Sequence, residues 1–150
     1  MDVTTHSLEE FNREATRFIA GFSLRPEHAA VVTLSGDLGA GKTTFVQACA
    51  RALGVAESVT SPTFVLEKIY ALEGQKFSHL VHIDAYRLKG AHELEHLGWK
   101  ELLADRGNLI VLEWPERVAE AIPEDATRIR FDIHGDERTI SINGQGKSTI

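Results

Sequence analysis

Residues 36–43 read Gly-Asp-Leu-Gly-Ala-Gly-Lys-Thr, a complete G-x-x-x-x-G-K-[ST] pattern, and no other feature constrains the fold of this chain as strongly. Glycines let the backbone curl so that successive N–H groups face one anion. Lys42 supplies a point charge near the β/γ-phosphates of a nucleotide, and the Thr43 hydroxyl suits Mg2+. The dipole of a helix opening at Lys42 adds to the attraction. The candidate nucleotide-binding residues are therefore Gly36, Gly39, Ala40, Gly41, Lys42, Thr43 and Thr44, with ATP and Mg2+ as the expected ligands.

This chemistry needs a strand before the loop and a helix after it. Val31, Val32 and Leu34 form the short apolar run of a buried parallel strand. Beyond the loop, Val46, Cys49, Ala50 and Leu53 recur at helical spacing, and Gly54 stands where a C-terminal cap belongs. Cys49 reads as core. A second Gly-Lys-Ser at residues 146–148 lacks both neighbours: Ser141 occupies the place of the first glycine, and no helix follows.

The remaining segments alternate in type. Ser7 and Glu10 form a capping box, and Phe11, Ala15, Phe18 and Ile19 then predict a helix over residues 8–20, before Gly21 and Pro26 interrupt. Residues 58–70 read as a polar turn leading into an extended segment, and residues 79–83 as a strand ending at Asp84. Residues 93–103 read as a helix with Gly98 as its weak point, and residues 109–112 as an apolar strand ending at Glu113. Ile129, Phe131 and Ile133 alternate with polar residues, as do Ile140 and Ile142 after a turn, which predicts a terminal antiparallel hairpin; residues 143–150 read as a frayed tail. The expected fold is one α/β domain over residues 1–150, a largely parallel sheet flanked by helices in the manner of P-loop NTPases, with a C-terminal antiparallel hairpin.

Composition excludes several function classes. Hydrophobic residues make up 43% and charged residues 25%, ordinary globular usage. A net charge of −6 argues against a surface built to grip DNA or another phosphate backbone, so any polyanion must bind locally. A single cysteine cannot form an internal disulfide, no spacing of Cys and His suggests zinc, and no apolar run approaches the ~20 residues of a membrane span. A soluble protein of the reducing cytoplasm is expected.

Two acids stand where open α/β sheets place ligands, at the C-terminal ends of strands: Asp84 and Glu113. Hard oxygen ligands beside the loop suit Mg2+, and one of the two can instead orient an attacking water. The competing reading of each is a turn or helix-capping acid. His82 reads more readily as a core or rim histidine than as a ligand. Trp114 either shields the metal site or simply packs. Arg87 either neutralises phosphate charge or pairs with a surface acid.

Together, GDLGAGKTT at 36–44, TSPTF at 60–64, HIDAYRL at 82–88, ELEHLGW at 93–99 and LEWPE at 112–116 resemble the bacterial TsaE family, also called YjeE, in order and with similar gaps from about residue 31 to 117. The resemblance implies ATP hydrolysis within the machinery that makes threonylcarbamoyladenosine beside the anticodon of tRNAs reading codons that begin with A. The partners it implies are the TsaB–TsaD pair, reset between turnovers, with tRNA reached only through that complex. It further implies that Thr43 and Glu113 ligate Mg2+, that Asp84 belongs to the same acidic site, with Lys42, Asp84 and Glu113 as the catalytic set, and that Ser61, Pro62 and Thr63 form a switch-like loop, with Trp114 as a further partner-responsive residue.

Other classes compete. A small-molecule kinase needs an acceptor pocket and an Arg-bearing lid, for which residues 98–108 offer only Lys100 and Arg106. A GTPase is disfavoured because Ala-Tyr-Arg follows Asp84 and no N-K-x-D sequence occurs. A nucleotide-sensing adaptor without significant hydrolysis remains the third reading.

Overall fold

The computed structural model describes residues 2–37, 41–56 and 67–143. Its strands run β1 (Asp2–Thr5), β2 (Ala30–Gly36), β3 (Glu67–Ala71), β4 (His79–Asp84), β5 (Asn108–Glu113), β6 (Thr127–His134) and β7 (Glu137–Asn143). They form one sheet in the order β1-β7-β6-β2-β5-β4-β3. Strands β6, β2, β5 and β4 are parallel neighbours, whereas β7 and β1 on one side and β3 on the other pair antiparallel. The parallel centre and the β6–β7 hairpin are as the apolar pattern predicts. The outer strands make the sheet half antiparallel by pairing.

Helix α1 (Leu8–Ala20) begins at a true N-cap: Ser7 Oγ accepts from the Glu10 N–H at 3.1 Å, and Glu10 Oε1 reaches back to the His6 N–H at 2.8 Å. It packs with α2 (Lys42–Ala52) on one face of the sheet, where Phe11, Phe45 and Phe131 meet with ring centroids 5.3 to 6.1 Å apart. Cys49 is buried in the same cluster. The opposite face buries Val31, Val81, Ile83, Ile110 and Leu112 beneath Leu94, Trp99 and Val118. Strand β5 is buried along its whole length, which is why its sequence runs apolar without alternation.

Three expectations are corrected. The helix read over residues 93–103 is two pieces, a 3-10 segment (Ala91–Leu97) and a short α3 (Trp99–Ala104), separated by Gly98 at φ +78°. Glycine takes that left-handed conformation without the Cβ clash, and the redirection lets Leu94 and Trp99 both face the core. Strand β1 was not anticipated: its sequence, Asp-Val-Thr-Thr, has one aliphatic residue, and its partner β7 lies at the other end of the chain. The expected tail over residues 143–150 is corrected at its start, where Asn143 pairs with Arg128 as the last residue of β7, and residues 144–150 lie outside the described residues. No helix among the described residues is long and apolar enough to cross a membrane.

Candidate functional site

Strands β2, β4 and β5 end together at one edge of the sheet. Parallel register sets Leu34 beside Glu113, and Glu113 beside Asp84. Immediately past β2 the chain turns into α2, with Gly41 at φ +108° as the residue before the helix. A side chain at Gly41 would be strained by that φ, and its Cβ would also meet Phe11 Cζ at 2.9 Å. The N-terminal helix thus packs directly beneath the entrance to α2.

Lys42 is 5% exposed, folded back over the loop. Its ammonium donates to the Gly36 carbonyl and, at 3.2 Å, to the Asp37 carbonyl, and it lies 4.0 Å from the centroid of the Trp114 ring. Burial pushes its pKa below the ordinary lysine value, against the opposing pull of Glu113, Glu116, Asp84 and Asp37. Those four acids all act on the one ammonium.

Glu113 is almost fully buried. Its Oε2 accepts from His82 Nε2 at 2.6 Å and lies 3.5 Å from Thr43 Oγ1, the outer limit of hydrogen-bond reach. Asp84, half-buried, accepts the Tyr86 N–H on Oδ1 at 3.0 Å, the Asx-turn expected of an acid after a strand. It lines the same cleft as Glu113, so the turn bond leaves it at the site edge. Trp114 follows at φ 63°, a left-handed conformation for a bulky residue. Its N–H donates to Leu34 O at 3.2 Å, and its ring lies 4.9 Å from that of Tyr86, which is itself approached by Arg117 at 5.3 Å.

A cleft of about 690 Å³ brings Gly41, Lys42, Thr43, Thr44, Asp84, Glu113 and Trp114 together. That volume suits a ligand of nucleotide size. Gly36 closes β2 beneath it, where an added Cβ would meet Phe131 O at 2.5 Å. Gly39, Ala40, Ser61, Pro62 and Thr63 lie outside the described residues. Arg87 is exposed and is not part of the lining.

Sequence reasoning missed the far wall, formed by Thr5, His6 and Ser7 before α1, by Leu8 and Phe11 in its first turn, by Gly135 and Asp136 of the β6–β7 turn and by Arg138 of β7. No local pattern announces them, because strand pairing β1–β7 is what carries both segments to the cleft. His82 was read as a core histidine, which its complete burial bears out. Its link to Glu113 had one available signal: residues 82 and 84 share a strand face by the period of two.

The donor set fits a hard cation. Thr43, Asp84 and Glu113 offer only oxygens toward the cleft, and among the described residues no group of three or more His, Cys, Asp or Glu is placed to hold a metal ion by itself. Mg2+ uses one or two carboxylates and takes its other ligands from phosphates and water.

The model of the family described as "Threonylcarbamoyl adenosine biosynthesis protein TsaE" matches residues 5–140. The tRNA threonylcarbamoyladenosine biosynthesis protein TsaE of Streptomyces coelicolor is 42% identical over 123 residues, covering 78% of this chain and 81% of the relative. The Bacillus subtilis protein of the same description is 37% identical over 137 residues, covering 90% and 83%. Among solved structures, that of Bacillus subtilis YdiB superposes with a TM-score of 0.75 at 30% identity, covering 98% of this chain and 86% of that one.

Proposed function

The chain belongs to the TsaE family of tRNA threonylcarbamoyladenosine biosynthesis, and from that membership we propose that it is an Mg2+-dependent ATPase whose hydrolysis drives turnover of the TsaB–TsaD complex in the cytoplasm. The observation that carries the reading is the convergence of Lys42, Thr43, Asp84 and Glu113 on one cleft at the C-terminal edge of a parallel sheet.

In this reading Lys42, positioned by the Gly36 and Asp37 carbonyls, presents its charge to the β/γ-phosphates. The first turn of α2 carries no acid, so nothing there opposes an anion at the helix N-terminus. Thr43 and Glu113, with Asp84 alongside, would hold Mg2+, whose chemistry there is to neutralise phosphate charge. Whichever of Asp84 and Glu113 is not so engaged orients the attacking water. Tyr86, 42% exposed and in tilted ring contact with Trp114, offers a route by which a change at Lys42 reaches the surface and hence a partner.

The test is multiple-turnover tRNA modification reconstituted with purified TsaB, TsaD and the pathway's other components, using either this protein or its Glu113→Gln variant at matched ATP occupancy. Modification that stalls after the first turnover with the variant supports hydrolysis as the driving step. Equal modification with both proteins removes hydrolysis from the mechanism and leaves a nucleotide-dependent adaptor.

A further inference from the structure

His82, in the middle of β4, is 0% exposed and lies directly behind the Glu113 carboxylate that lines the cleft. It shares a strand face with Leu80, and its cross-strand neighbours are Val111 on β5 and Lys68 on β3. Burying an imidazole in such a place is unfavourable unless its nitrogens are satisfied. One is: Nε2 lies 2.6 Å from Glu113 Oε2. The other, Nδ1, is buried without a hydrogen-bond partner among the described residues.

That asymmetry fixes the tautomer. A carboxylate only accepts, so the hydrogen in the short contact is on Nε2. An N–H at Nδ1 would be a buried donor with no acceptor among the described residues, whereas a bare lone pair there costs less. Among the described residues, the ring's one hydrogen bond ends on the acid at the cleft. Glu113 in turn has three rotatable side-chain bonds and only Thr43, at 3.5 Å, as its other described side-chain neighbour within hydrogen-bond reach.

We infer that His82 is a positioning residue: its Nε2–H holds Oε2 of Glu113 and thereby fixes the rotamer in which the carboxylate faces Thr43 and the divalent cation. This deepens the proposed function and rests on it. Outer hydrogen-bond partners of metal-binding carboxylates characteristically contribute 10- to 100-fold in metal affinity by holding the ligand in place.

Two amide substitutions separate positioning from packing. In His82→Gln the side-chain nitrogen can occupy the place of Nε2 and donate to Glu113; in His82→Asn it stands near Nδ1 and falls short. Both bury an amide in the same site. The measurement is Mn2+ affinity, by electron paramagnetic resonance, of the purified full-length protein saturated with a non-hydrolysable ATP analogue, alongside analogue affinity without metal and thermal unfolding without ligand. Expected is Mn2+ binding weakened about 10- to 100-fold in His82→Asn, and within about threefold of the parent in His82→Gln, with metal-free analogue binding unchanged in both. His82→Leu, close in volume, should match His82→Asn and serves if the latter fails to fold. Equal Mn2+ affinity in the Gln variant and in the donor-less variant overturns the positioning role while Glu113→Gln still weakens the metal. A parent protein that binds no Mn2+ with the analogue overturns the nucleotide reading, and this inference with it.

Discussion

Trp114 and Lys42 face one another across the candidate site, the ammonium 4.0 Å from the indole centroid. The contact exists because Trp114 takes a left-handed backbone conformation at φ 63° directly after the buried Glu113, turning its ring back over the end of β2. Lys42 is thus held among two carbonyls and an aromatic face rather than free in solvent. A cation so placed is partly desolvated before any anion arrives, which increases what a charge-assisted contact contributes.

Lys42→Ala should weaken ATP binding by roughly 2–4 kcal/mol, the value of a desolvated charge-assisted contact. Titration calorimetry of ATP with Mg2+ present checks this. An unchanged affinity would mean that the strand, loop and helix do not bind phosphates.

Glu113→Gln should lower ATP turnover about 10²-fold while changing nucleotide affinity far less, since the amide keeps the shape and loses the charge. Single-turnover hydrolysis beside calorimetric binding separates the two effects. Parent-like hydrolysis would leave Glu113 as a strand-end acid tied to His82.

Gly36→Ala should cost about 2 kcal/mol or more of folding stability. Its φ of +137° disfavours a side chain, and the new Cβ would stand 2.5 Å from Phe131 O on the neighbouring strand, where backbone has little room to yield. Urea unfolding measures it; a loss below about 0.5 kcal/mol, the range of a neutral surface change, would contradict the close approach.

Cys49 makes alkaline stability pH-dependent. Burial raises its thiol pKa in the folded protein. Above about pH 8.5 the unfolded chain loses the thiol proton while the folded chain keeps it, so stability falls with rising pH by up to about 1.4 kcal/mol per unit. Below that pH the contribution is fully present. Lys42, depressed in the folded state, acts with the opposite sign but is common to parent and Cys49→Ala, so it cancels between them. The stability difference between the two proteins should therefore narrow from pH 8 to 10 in urea unfolding. A difference constant with pH would show that the thiol ionises equally in both states.

The local elements were legible because local chemistry specifies them. A capping Ser7 with Glu10, a helical stripe from Phe11 to Ile19 and a glycine-rich loop between an apolar run and an amphipathic stretch each carry their own instructions within a few residues. Asp84 and Glu113 could be placed at the active edge for the same reason: each directly ends an apolar strand. Gly98 carried a signal of another kind, since a glycine inside a helical pattern leaves open whether the helix continues or turns, and here burial of Leu94 and Trp99 together favoured the turn.

What the sequence by itself determined was therefore the set of elements and the chemistry of the loop, both governed by periodicity and backbone propensity over short spans. Tertiary structure alone decided which segments share the cleft. Pairing of β1 with β7 brings Thr5 and His6 to the same wall as Arg138, and parallel register of β4 with β5 brings His82 within 2.6 Å of Glu113. Such contacts depend on strand order and register, which are fixed by burial summed over the whole sheet rather than by the residues on either side of the contact.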